Sequence, residues 1–168
     1  MIKGLTINEL AKRVMQNEAI KRDFYADTRK IRVTPDLKLR LEVNNDVEHF
    51  GITNICHRSL GSALKIPAKY YDRLKESCPS LLAQNVNWWL HADPQVKMLR
   101  TYGGSHPRAR ALLSDKYRPL DNAELVNNLL PLLTGEGAEI KSCNVNDRGL
   151  FVHAVFPKVE REIKTGDV

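Results

Sequence analysis

The chain has 168 residues, 42% apolar and 27% charged, with a formal net charge of +6 and a pI of about 9.3. That length fits a single domain spanning residues 1–168, and the composition is globular rather than disordered or fibrous. No apolar stretch approaches the roughly 20 residues of a membrane span. The N-terminus MIKGLTINELAKRV lacks the apolar core of a secretory signal, and three scattered cysteines cannot make a disulfide framework.

Thr6 to about Asn17 predicts a first helix. Thr6 and Glu9 have capping-box spacing, Leu5 and Leu10 sit where a hydrophobic staple would, and Ile7, Leu10, Ala11, Val14 and Met15 make one stripe. Lys21 to Thr53 reads as strands, with Leu37, Leu39, Leu41 and Val43 alternating against Lys38, Arg40 and Glu42. Pro35-Asp36 and Asn44-Asn45-Asp46 supply the flanking turns. Asn54 to Leu90 is helical: Asn54 caps the first segment, Pro67 starts a second at a permitted first-turn position, Cys78-Pro79 breaks it, and Ser80 to Leu90 makes a third. Val96–Tyr102 and Arg108–Leu113 predict a hairpin across Gly103–Pro107. Asp121 caps a helix to about Leu133, with Leu125, Leu129, Leu132 and Leu133 inward. Glu139–Asn144 and Gly149–Phe156 make a last hairpin across Asn146–Gly149, and a charged tail runs from Lys158 to Val168. The fold class is α+β: antiparallel strands and hairpins packed with a block of helices.

Arg100 to Asn122 is the densest basic stretch. Strand alternation puts Arg108, Arg110 and Leu112 on one face, and Ala109, Ala111 and Leu113 on the other. Arginines two apart on one strand face suit phosphates, with bidentate geometry that lysine lacks. Arg100, Lys116 and Arg118 would extend the stripe, and Tyr117 or Tyr102 could stack on an unpaired base. The same arginines could instead pair with Asp115, Asp121 and the acids of the N-terminal strands. Trp89 aligns with Leu82, Val86 and Leu90 and reads as core; a core or core-edge place is expected for Trp88 too, an exposed one being a stacking platform. The five histidines lack HxH, HxxxH and HExxH spacing, and no glycine-rich phosphate motif or GxSxG elbow occurs. No catalytic residue, metal or cofactor is expected.

At Ile66–Tyr71, Asn85–Leu90, Arg100–Tyr102, Arg108–Asn122 and Gly166-Asp167-Val168 the chain resembles the "phage/plasmid-like protein" family, a domain of unknown function from phages, plasmids and integrated elements. Members continue beyond the Gly-Asp-Val segment, so the resemblance implies the N-terminal part of a longer architecture. It also implies a mobile-element setting.

The expected function is nucleic-acid binding, DNA ahead of RNA, of a single-strand binding or annealing kind in replication or recombination. Arg100, Arg108, Arg110, Lys116 and Arg118 are expected on the backbone and Tyr117 on a base. A homo-oligomer would accompany annealing. The alternatives are a protein-binding inhibitor or accessory factor acting on a host defence complex, and a DNA-processing enzyme completed by a further C-terminal part. Reduced thiols and the absence of signal and span point to the cytoplasm, without a membrane partner.

Overall fold

A computed structural model describes residues 4–118, 120–146 and 149–157. Residues 1–3, Pro119, Asp147 and Arg148, and the residues from Lys158 onward lie outside the described residues. The fold is α+β, and its contacts divide the chain into two compact units: residues 20–118, and residues 1–19 with 119–168.

The larger unit is a six-stranded sheet carrying three helices. Its strands are β1 (Lys21–Asp27), β2 (Ile31–Val33), β3 (Lys38–Val43), β4 (Asp46–Ile52), β5 (Val96–Tyr102) and β6 (Arg108–Ser114). The spatial order is β1-β5-β6-β4-β3-β2, antiparallel except where β6 runs parallel to β4. The two edge strands β1 and β2 are consecutive in the chain, joined only by a 3-10 turn at Thr28–Lys30. So the sheet curls. On a flat sheet β1 and β4, three strands apart, would stand about 14 Å from each other. Here the rings of Phe24 and Phe50 are 6.1 Å apart and Arg22 reaches Glu48 at 3.0 Å.

Local chemistry explains these strands. Leu39 and Leu41 are fully buried while Lys38 and Glu42 are exposed, as the alternation requires. Asn44 and Asn45 both take positive φ (49° and 67°), the two-residue turn that matches strand twist. Helices α2 (Asn54–Ala63), α3 (Ala68–Ser77) and α4 (Pro79–Ala92) close the core from one side with Leu60, Tyr71, Leu82, Val86 and Leu90. The cap of α2 is Thr53, one residue before the expected Asn54: its Oγ1 accepts from Cys56 N at 3.2 Å. Pro79 opens α4, where a missing N–H costs nothing.

The edge strand β2 is shielded by a side chain. Asn87 of α4 accepts from Val33 N at 2.7 Å and donates to Val33 O at 2.8 Å, occupying backbone groups that an extra strand would otherwise seek.

The smaller unit contains α5 (Asn122–Gly135), β7 (Glu139–Asn146), β8 (Gly149–Val155) and, up to Ala19, α1 (Ile7–Ile20). Thr6 and Glu9 form the expected capping box: Thr6 N donates to Glu9 Oε2 at 2.8 Å, and Glu9 N to Thr6 Oγ1 at 3.2 Å. Helix α1 continues three residues past the expected end. The buried face of α5 is Ala123, Val126 and Leu130, not the expected leucine set; Leu129 and Leu132 are exposed. Apolar residues encircle this helix, so periodicity could not select its inner stripe.

Candidate nucleic-acid interface

Cross-strand register assembles the site. On β3 the core takes Leu39 and Leu41, which turns Lys38 and Arg40 to the opposite face. Antiparallel pairing sets Arg40 directly opposite Arg32 of β2 and His49 of β4. The result is a lateral row, Arg32–Arg40–His49, spanning about 10 Å. One side-chain repeat along, Lys38 and Arg108 flank Gly51, which leaves a trough between them.

Like charges directly opposite each other on a sheet repel, as Arg32 and Arg40 do here. A fold-stabilising network would interleave carboxylates. Among the described residues Arg32, Arg40 and Arg108 are in no ion pair, whereas Lys38 is held by Asp36 at 2.8 Å. Arg40 is half-buried, and its Nε is shut off from solvent with no acceptor. An unsatisfied guanidinium nitrogen directly across from a second arginine is a ready donor for an anion.

At the β2 end, Arg32, Trp88 and His91 line one shallow depression. Trp88 is 62% exposed and stands edge-on to Trp89, their centroids 4.6 Å apart. Trp89 is 43% exposed. Both therefore correct the expectation of a core or core-edge pair. The core stripe of α4 is Leu82, Val86 and Leu90, and helical geometry leaves the two indoles to either side of it.

The sequence-predicted residues do not form one patch. Arg100 is 7% exposed, and its Nε and one terminal nitrogen grip Asp23 of the neighbouring strand at 2.9 and 2.7 Å. It is a buried structural partner, so the sequence's pairing alternative holds for it. Arg108 joins the face just described. Arg110 is half-buried at a bulge: Arg100 pairs with Ala111 and Thr101 with Ala109, leaving Arg110 as the extra residue. The bulge also shifts the alternation, so that Ala109 and Leu112 both reach the core. The expected sorting of Leu112 with the arginines is thus corrected. Lys116, Tyr117 and Arg118 are exposed after β6, beyond Ser114, whose six residue steps from Arg108 span about 20 Å of strand.

Sequence reasoning missed Arg32, Arg40, His49 and the exposure of Trp88. One signal was present: a two-residue turn at Asn44-Asn45 dictates that Arg40 faces His49.

The buried His57 belongs to a different kind of arrangement. Its Nδ1 lies 2.9 Å from the Tyr71 hydroxyl, and burial, with Lys75 nearby, pushes its pKa down to about 4. Burial also pushes the adjacent Cys56 thiol up to about 12 and raises Tyr71. Burial thus favours the neutral form of all three groups. Among the described residues no three His, Cys, Asp or Glu side chains gather as metal ligands would, and no helix is long and apolar enough to cross a membrane.

No family model matches the chain, and no curated protein or solved structure does.

Charge is distributed in keeping with the basic face. Residues 20–118 hold 18 Lys and Arg against 10 Asp and Glu, a net of +8. The remaining residues hold 8 against 10, a net of −2. The larger unit thus carries more than the whole excess of positive charge.

Proposed function

We propose that the protein binds single-stranded nucleic acid on the outer face of β2, β3, β4 and β6. The observation that carries this reading is the Arg32–Arg40–His49 row, a ladder of basic residues whose arginines lack carboxylate partners among the described residues. Phosphates would relieve its repulsion and satisfy Arg40 Nε. The exposed Trp88 beside Arg32 adds a face on which a base can stack, the combination by which single strands are held with little sequence preference. Arg108 and Lys38 extend the backbone track. Lys116, Tyr117 and Arg118 are a separate exposed cluster that a longer strand could reach. The resemblance to the phage/plasmid-like family favours DNA over RNA and a role in replication or recombination, including annealing.

The test is a fluorescence-anisotropy titration with a labelled single strand over a range of salt. Replacing Arg32 and Arg40 by alanine removes two phosphate contacts, so the slope of log K against log salt is expected to fall by about 1.4. An unchanged slope would overturn the assignment. The variant should fold at least as well as the parent, because it relieves repulsion.

A second reading has its own observation. In the smaller unit Leu120, Leu132 and Phe151 are 60%, 66% and 53% exposed. Exposed apolar side chains of that size suit a protein partner, in keeping with an accessory factor acting on a host complex. A partner retained from host lysate after nuclease treatment supports that reading, and capture abolished by nuclease counts against it.

A further inference from the structure

A second cavity, distinct from the basic face, lies in the larger unit. It has a volume of about 370 Å³, within the range of small-molecule sites, and opens between the α2–α3 turn, α4 and β5. Two aromatic side chains, Tyr70 and Trp89, line it, both partly exposed. Asn85 also lines it, and its Oδ1, screened from solvent, has no hydrogen-bond donor. A buried acceptor without a donor is unfavourable by roughly 1–3 kcal/mol, so its retention calls for an explanation.

The lip of the cavity carries a second unexplained expense. Helix α2 ends in a Schellman motif, with Ile66 N donating to Gly61 O at 2.9 Å and Lys65 N to Ser62 O at 3.1 Å. The left-handed position of that motif is normally glycine. Here it is Lys65, at φ 56°. The strain sets a lysine at the lip, where Lys97 also lines the cavity; the one carboxylate in the lining, Asp93, accepts from Gln95 Nε2 at 2.8 Å. Neither lysine is in an ion pair among the described residues.

We propose that this cavity binds a nucleotide. The planar base lies against Tyr70 and Trp89, its amino group donates to Asn85 Oδ1, and the phosphate meets Lys65 and Lys97. The assignment does not depend on the basic face. The nucleotide can be free, or the unstacked base of a bound strand.

Calorimetric titration of the whole chain with adenosine monophosphate tests it. Saturable binding is expected. Purine riboside monophosphate, which lacks the amino donor, should bind at least tenfold more weakly. Asn85→Leu should abolish binding. Lys65→Gly relieves the strained turn, so it should raise the melting temperature while weakening nucleotide binding. Absence of saturable binding, or equal affinity for the analogue lacking the amino group, would overturn the proposal. So would binding unchanged in both variants. The Arg32, Arg40 double variant should bind the mononucleotide as the parent does, which separates failure here from failure of the strand-binding face. Displacement of a labelled single strand by the mononucleotide would identify the strand's own base as the occupant. Simultaneous binding of both would identify a free nucleotide.

Discussion

His57 shows how one buried side chain ties stability to pH. It is 7% exposed, next to the Tyr71 hydroxyl, and its pKa falls from 6.5 to about 4. The folded state therefore keeps it neutral where the unfolded chain takes up a proton. The stability this contributes is complete above pH 6.5 and is lost progressively as pH falls toward 4. The loss should reach roughly 2 kcal/mol after allowing for partial solvent access. Urea midpoints measured from pH 7 to pH 4.5 should fall accordingly. A His57→Gln variant, which keeps a partner for the Tyr71 hydroxyl, should show a flatter profile in this window. Asp27 and Asp36, held at about 2 by hydrogen bonds from Arg29 and from Lys38, add their own acid sensitivity only below their ordinary 3.8.

At the scale of elements, the short strand β2 matters most, because it carries Arg32 and forms a sheet edge. Three residues make little ladder of their own, and the two hydrogen bonds from Asn87 tie the strand to α4. Asn87→Ala is expected to lower stability by about 2 kcal/mol, since it strips partners from two backbone groups at a partly buried edge. The same change should weaken single-strand binding, because Arg32 loses its fixed place beside Arg40. Chemical denaturation and anisotropy on one preparation check both effects; a variant that loses stability but keeps full affinity would detach β2 from the proposed binding face. The bulge at Arg110 works similarly on β6. It redirects the side chains beyond it, so Arg108 stays on the outer face while Leu112 packs inward.

For the whole molecule, charge and core coincide. Residues 20–118 have their own hydrophobic cluster and a net charge of +8. The second cluster, built from Leu10, Val14, Val126, Leu130, Cys143 and Val145, belongs to the other unit. A fragment of residues 20–118 is expected to melt cooperatively and to bind a single strand with the salt slope of the full chain. A broad, non-cooperative melt by circular dichroism would refute this, and so would a cooperative fragment without affinity. Length and composition did not announce the division, because no Pro- or Gly-rich linker marks residues 19–20 or 118–119.

The sequence alone determined what depends on neighbours a few residues apart. The capping box at Thr6 and Glu9, the alternation around Leu39 and Leu41, the Asn44-Asn45 turn and the Pro79 helix start all follow from local sterics and hydrogen bonding. Only the tertiary structure decided which basic residues share a face. Arg32, Arg40, His49 and Arg108 meet through pairings that include a parallel contact between residues 51 and 108, far apart in the chain. Arg100, which reads in sequence like its neighbours, is withdrawn by Asp23, 77 residues away. Charge in a linear run carries no record of which strand will lie alongside, and the register of distant strands is what turns basic residues into a shared face or a buried pair.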